Sequence, residues 1–397
     1  MPLRITFLLG SGISISVGLP STKDLTEKIM TGEGIKRDSD GTYCLGQAHN
    51  GSEKEYIQIV TKFLKRIKVE VDSYYKTKHE REINYEDLYY IASQICDNES
   101  GEYDNPAIQA MIEKIIPDIA SLFPGKENEH REIWTLLYIS SNTTDYIKDV
   151  VWRLIISKKP ENLDRLNIFR DAFCDKDISH LDIFTLNHDT VLEDYLFQNN
   201  IKLVDGFDKP ENSVRYWNPN LFTQKSCKIR LFKLHGSLNW FLFRSVKENI
   251  VIERIGSIPS NISCWDTYDP DGQRYTTPGS PCILVGTFNK MLEYTGAIYF
   301  ELHCQFYHTL QSIDQLVVCG YGFGDKGINR QIIEWIYSSL KHRVIIIHPN
   351  PENLKEKARR ALTKNWDDLI KQRKLILISK KIEDTSWQEL KEKLLKQ

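Results

Sequence analysis

A chain of 397 residues, 41% apolar and 27% charged, has the length for two or three domains, or one large domain with an insertion, and is not composed like a disordered chain. Its 52 Lys and Arg nearly cancel 54 Asp and Glu, so no global basic field gathers nucleic acid and direct nucleic-acid binding is not expected. No apolar run approaches the roughly 20 residues that span a bilayer, and no signal-peptide pattern follows Arg4, so a cytoplasmic α/β protein without a membrane segment is expected.

The first predicted strand is Ile5-Thr6-Phe7-Leu8-Leu9, a short β-rich run that meets Gly10-Ser11-Gly12. Ser21 then opens a helix, with Asp24 placed as the partner of a capping box. From about residue 31 to 177 amphipathic helical patterns dominate. Examples are Tyr56-Ile57-Ile59-Val60-Phe63-Leu64-Ile67 and Ile133-Leu136-Leu137-Ile147-Val151-Leu154, whose stripes suit core or subunit interface. Between them, 31–52 and 97–105 are polar and read as loops. This region is a large helical insertion. Residues 1–30 and 178–397 form the domain it interrupts.

Strand signals return at Leu181–Leu186, Leu231–Leu234, Ile283–Val285, Leu316–Cys319, Val344–Ile347 and Leu375–Ile378, with helical patterns at Lys290–Ile313 and Gly327–Leu340. Strand and helix alternating at this spacing predict a parallel sheet covered by helices. The stretch 245–280, with Trp265 and Tyr268, reads as a long surface loop or small subdomain. Eight cysteines are scattered without C-x-x-C spacing, so no zinc ribbon, disulfide framework or other metal site is expected, and Cys319 reads as a buried thiol.

Five strands are followed at once by polar or glycine-rich clusters: Gly10–Ser14, Asn187-His188-Asp189, His235–Trp240, Gly320–Asp325 and His348–Pro351. Ligands bind outside the carboxyl ends of parallel strands, so the five clusters predict one convergent site. Glycines in the first cluster suit close approach of a pyrophosphate, or simply a tight strand-to-helix turn. Gly10-x-Gly12 continues to Gly18, so the usual dinucleotide fingerprint is not matched.

Gly10-Ser11-Gly12-Ile13-Ser14 with Gly18-Leu19-Pro20, then Thr185–Asp189, then Lys233–Ser237, stand in the order of the sirtuin NAD-binding motifs. The Gly320–Asp325 loop, Asn329 and the strand before His348 are similar to the later part of that fold. The chain most resembles the divergent sirtuin-like domains of bacterial antiphage defence systems, which hydrolyse NAD. The resemblance implies a Rossmann-like fold with NAD as substrate. Deacetylase sirtuins carry Asp-Phe-Arg where Pro20 is here followed by Ser21-Thr22-Lys23, and a four-cysteine zinc module that this chain lacks. Both departures favour NAD hydrolysis over deacylation.

By the resemblance, Asn187 would orient the water and touch the nicotinamide ribose, Asp189 would sit near the carboxamide or ribose, and His235 would act as general base. Gly10, Ser11, Gly12, Ser14, Pro20, Gly320, Gly322, Phe323, Asp325 and Asn329 would contact NAD. Taken alone, Asn187 and Asp189 also suit caps for a helix beginning near Thr190, and His235 suits a turn. Asp325 and Asn329 suit either capping of the helix after Gly327 or a ribose contact. A non-catalytic NAD or ADP-ribose sensor is the alternative reading; a protein deacylase comes after it. Because uncontrolled NAD hydrolysis kills the host, the resemblance implies abortive-infection defence by a homo-oligomer dependent on a partner protein, a HerA-type ATPase first and an Argonaute-like protein second.

Overall fold

The computed structural model describes residues 3–47, 51–121, 136–224, 228–247, 250–259, 262, 267 and 279–395. Its strands, in chain order, are β1 (Leu3–Leu9), β2 (Ile35–Arg37), β3 (Tyr43–Leu45), β4 (Ile178–Thr185), β5 (Arg215–Tyr216), β6 (Ile229–Lys233), β7 (Trp240–Lys247), β8 (Ile250–Ser257), β9 (Gln315–Cys319), β10 (Arg343–Ile347) and β11 (Leu375–Ile378). Six of them form one sheet in the order β11-β10-β9-β1-β4-β6, every pair parallel. Counted along the chain this is 3-2-1-4-5-6, the order of doubly wound dinucleotide-binding sheets, and its switch point lies between β1 and β9. The fold is Rossmann-like, as the strand and helix alternation predicts.

Both faces of the sheet are buried, which is why its strands read as continuous apolar runs. Phe7, Leu8 and Leu9 are all buried in β1. Phe184 and Phe232, register partners on β4 and β6, stack with centroids 4.4 Å apart. Four polar residues, Thr6, Asp182, Thr185 and Lys233, are buried within these strands. Asp182 is fully buried in β4 and takes the guanidinium groups of Arg4 from β1 and Arg230 from β6.

The chain divides into two compact units: 1–19, 159–283 and 291–397 in the first, 20–158 and 284–290 in the second. Relative to the limits read from sequence, 159–177 goes with the sheet, because the helix Asn167–Cys174 packs Phe169 edge-on against Phe7 at 5.2 Å. Residues 20–30 go with the second unit, where the Tyr146 hydroxyl donates to the Ile29 carbonyl at 2.9 Å. The helix Thr22–Thr31 starts with the Ser21–Asp24 capping box that the sequence predicts and ends on left-handed Gly32. Ile57, Ile59, Val60, Phe63, Leu64, Ile67, Ile147 and Val151 are buried, so both stripes are core of the second unit.

Four readings need correction. Ile283–Val285 is not a strand; Ile283 forms one isolated antiparallel bridge to Gly236. The front of the 245–280 stretch is not loop: β7 and β8 pair antiparallel from Trp240 to Ser257, buried at the Trp240–Phe243 end and exposed at the β-branched run Ile250-Val251-Ile252, which carries the strand signal. Residues 31–52 hold the β2–β3 hairpin, where the Tyr43 N–H is fixed by buried Asp149. The predicted loop 97–105 begins with the last turn of the helix Tyr85–Ser100. Ile133, Cys227, Cys264, Trp265 and Tyr268 lie outside the described residues. No described helix is long and apolar enough to cross a membrane.

Candidate functional site

The loops at the carboxyl ends of β1, β4, β6 and β9 meet in the first unit. At the switch point the Gly10 N–H donates to the Cys319 carbonyl at 3.0 Å and the Gly12 N–H to the Gly320 carbonyl at 2.9 Å. A methyl on Gly10 would stand 2.6 Å from the Gly320 oxygen, and one on Gly12 2.7 Å from the Gly320 α carbon. These glycines therefore let two strand ends lie backbone against backbone. Ser11 is exposed on the turn and Gly12 is half-buried. Pro20 falls in the second unit and is not among the residues gathered here.

Ser14 joins the first two clusters. Its hydroxyl donates to the Asp189 carboxylate at 2.6 Å and accepts from the Asn187 amide nitrogen at 2.9 Å. The same nitrogen donates to the Gly10 carbonyl at 3.1 Å, so the Asn187 side chain has one fixed orientation. That orientation leaves the Asn187 carbonyl oxygen buried with no hydrogen-bond partner, the kind of orphan that calls for an explanation. Asp189 also accepts the N–H of Val191, the first residue of the helix Val191–Gln198, at 3.1 Å, whereas the N-cap Thr190 makes no side-chain cap and the Asn187 side chain makes no hydrogen bond to the helix start. Behind this loop, buried Lys233 donates to the Asp189 carbonyl and, at 2.8 Å, to Glu193. Burial pushes the Glu193 carboxyl up, and the Lys233 charge opposes it.

His235 follows β6 and is buried. Gly236 after it has φ +78°, and a methyl there would meet the Cys282 carbonyl at 2.0 Å, so only glycine fits the turn. The His188 carbonyl accepts the Leu238 N–H at 2.9 Å and the Ser237 hydroxyl at 3.2 Å, fastening the Asn187–Asp189 loop to the His235–Leu238 loop. The His188 and His235 rings lie 6.3 Å apart. His235 Nε2 is 3.1 Å from an Asp325 carboxylate oxygen and 3.2 Å from the Tyr294 hydroxyl, which also donates to Asp325. Neighbouring strands are about 4.8 Å apart, so β6 and β9 stand roughly 14 Å apart in this sheet. The meeting of His235 and Asp325 thus closes an arch of loops across the ends of β4 and β1. His303 stacks on Tyr294 at 3.7 Å; burial first, then the nearby His235, push its pKa down to about 3, with Asp325 opposing. His303 is neutral at any working pH.

Within the Gly320–Asp325 loop the predicted contacts divide. Asn329 is buried and spends its amide on the Phe323 carbonyl at 2.7 Å, while its oxygen meets the Tyr321 hydroxyl at 2.8 Å. Phe323 is 1% exposed, with φ +52°. Both side chains brace the loop. Gly322 and Gly324 are exposed, with nothing within 4 Å of where a Cβ would stand. Asp325 caps the helix Lys326–Ser338 through its other oxygen, which accepts the Gly327 and Ile328 N–H groups. Tyr294, His303 and Glu193 are the site neighbours that sequence reasoning missed, and Lys233 was read only as part of the Lys233–Ser237 motif. The signal for Tyr294 is the Thr295-Gly296 pair, which splits the predicted Lys290–Ile313 helix into Lys290–Glu293 and Ala297–Gln311. Among the described residues no group of three or more His, Cys, Asp and Glu is placed to hold a metal ion.

Residues 182–370 match the SIR2-like domain family. The match runs from within β4 through β10 and takes in Asn187, Asp189, His235, Gly320–Asp325 and Asn329; it leaves β1 and Gly10–Ser14 outside. It supports a sirtuin-like domain in this chain, and SIR2-like domains bind NAD. No curated protein matches the chain.

Proposed function

We propose that this chain hydrolyses the nicotinamide–ribose bond of NAD, giving nicotinamide and ADP-ribose. The observation that carries the reading is the Asn187 amide, held by Ser14 and Gly10 with its carbonyl oxygen buried and unpartnered, on a loop fastened to the one that bears His235. An unsatisfied acceptor on a loop bonded to the one that carries a buried histidine suits a ligand that brings its own O–H donors, as a ribose and an attacking water do.

The chemistry asks little of the protein beyond placement. When the C1′–N bond breaks, its electron pair goes to the pyridinium nitrogen and nicotinamide leaves neutral, so no general acid is needed. Positive charge develops on the ribose, and a positioned water supplies the new C1′–O bond and gives up one proton. Asn187 would hold the water or a ribose hydroxyl, and His235 would take the proton. Asp189, fixed by Ser14, would keep a negative charge near the ribose. Ser11, Gly322 and Gly324 would offer backbone to the diphosphate, while Gly10 and Gly12, their N–H groups bonded to Cys319 and Gly320, would hold the turn in place. No step calls for a metal ion. The SIR2-like match and the sirtuin order of the motifs support NAD as the ligand, and the missing Asp-Phe-Arg and cysteine module support water as acceptor.

We extend the proposal to antiphage defence by NAD depletion, with a homo-oligomer controlled by a partner protein, a HerA-type ATPase before an Argonaute-like one. Its support is the resemblance and the lethality of an uncontrolled NAD hydrolase. The test is an NAD analogue that fluoresces on cleavage, given to the purified protein alone and with the co-expressed partner. Asn187→Ala and His235→Ala each lose at least 100-fold in turnover, with melting temperatures close to wild type. NAD binding without cleavage in every condition would make the protein a sensor, and release of an acyl group from a lysine peptide would make it a deacylase.

A further inference from the structure

Asp325 has more contacts than a helix cap requires. One oxygen takes both N–H groups of the Lys326–Ser338 start, at 2.9 and 3.1 Å. The other is turned inward, where it accepts the Tyr294 hydroxyl and faces His235 Nε2 at 3.1 Å. The carboxylate is 8% exposed and His235 is 5% exposed, so water screens the pair little. Tyr294 arrives because the chain breaks at Gly296 and Ala297, the latter at φ +37°, and its ring is backed by His303.

We propose that Asp325 is the positioning residue for His235: it accepts Nε2–H, fixes the ring and stabilises its protonated form. The use of the proton rests on the NAD hydrolase reading; the pairing does not. Three other titratable groups face the histidine. Tyr294 donates its hydroxyl to Asp325, His188 lies 6.3 Å away ring to ring, and burial holds the His303 pKa down at about 3. Asp325 is the carboxylate on Nε2. With that proton donated to Asp325, the lone pair of the neutral ring is on Nδ1, and a proton released by water adds there. The resulting imidazolium is balanced by Asp325, which stays ionised throughout, as in a hydrolase triad. The pairing makes His235 a stronger base than an unpaired buried histidine, at the cost of protonating it up to a higher pH.

Nitrogen-15 NMR of histidine-labelled full-length protein reads this without substrate, with His235→Asn supplying the assignment. Neutral wild-type His235 is expected to carry its proton on Nε2. In Asp325→Asn, which keeps a helix-capping side chain, its titration midpoint falls by about one pH unit or more, and Asp325→Glu restores part of the shift. The acidic limb of kcat/KM moves down by the same interval, and the high-pH plateau drops roughly tenfold or more. An unchanged midpoint in Asp325→Asn, or a proton on Nδ1, overturns the proposal. Should Asp325→Asn melt early, the wild-type tautomer and Asp325→Glu decide. A shifted midpoint in a protein that never cleaves NAD upholds the pairing and refutes the hydrolase reading.

Discussion

Ser14 is where two site side chains converge, since its single hydroxyl both accepts from Asn187 and donates to Asp189. Ser14→Ala leaves Asn187 with only the Gly10 carbonyl and strips a donor from Asp189. A stability loss of about 1 kcal/mol is expected, together with a fall in NAD turnover of about tenfold that sits in kcat. Urea unfolding and steady-state kinetics read the two effects separately, and unchanged kcat would show that the Ser14 bridge is scaffold alone. Gly10→Ala belongs to another class, because its methyl would strike the Gly320 carbonyl at 2.6 Å. About 1–3 kcal/mol of destabilisation is expected from the forced separation of two strand ends. That Asn187, Asp189 and His235 lie in loops at strand ends was legible in the sequence, whereas the roles proposed for them come from the sirtuin resemblance. Tyr294 was not, since a tyrosine in an apolar helical pattern reads as core until the helix is seen to break beside it. The glycines were legible as a turn, but their reason, another glycine some 300 residues on, was not.

At the scale of the element, Asp182 decides how three strands align. It is register partner of Arg230 on β6 and takes Arg4 from β1, so the three strands share one fully buried carboxylate. A slip of one residue would turn that charge to the other face without a partner. Asp182→Ala would leave two guanidinium groups facing each other, and about 3–5 kcal/mol of stability should be lost. Chemical denaturation measures it, and a loss under 1 kcal/mol would show that the arginines simply turn out to solvent. The sheet strands were legible because a strand buried on both faces is an apolar run bounded by turns. The same rule misleads at Ile283–Val285, an apolar run that makes one isolated bridge, and it passes over β7–β8, whose runs Trp240–Phe243 and Ile250–Ile252 pair with each other as a hairpin outside the main sheet.

Across the whole molecule, the sheet order was beyond reach of local patterns, because it depends on which distant strands pair. Within the first unit a polar knot ties the helix Trp387–Leu395 to the loop that precedes β4. Lys391 of the helix Trp387–Leu395 reaches Asp175 at 2.7 Å and Asp177 at 2.6 Å, and the Trp387 indole N–H donates to Asp175 at 2.7 Å. The Lys391 contact, then the Trp387 one, hold the Asp175 carboxyl down at about 2. A carboxyl lowered in the folded state favours folding above its ordinary pKa near 4, and that contribution vanishes as pH falls through 2. Wild type should therefore melt above Asp175→Asn at pH 6, and the gap should close by pH 2. A gap that persists at pH 2 would mean the asparagine acts by packing alone.

The position of β1 also sets a schedule. Leu9 pairs with Thr185 on one side and with Cys319 on the other, so the strand at the sheet's centre is made long before either partner. At 5–20 residues per second, about 15 s to a minute separates it from β9 on the ribosome. His235 has no Asp325 and Gly10 no Gly320 until that interval ends. The site proposed here is therefore incomplete on a nascent chain until β9 and the loop after it have been made.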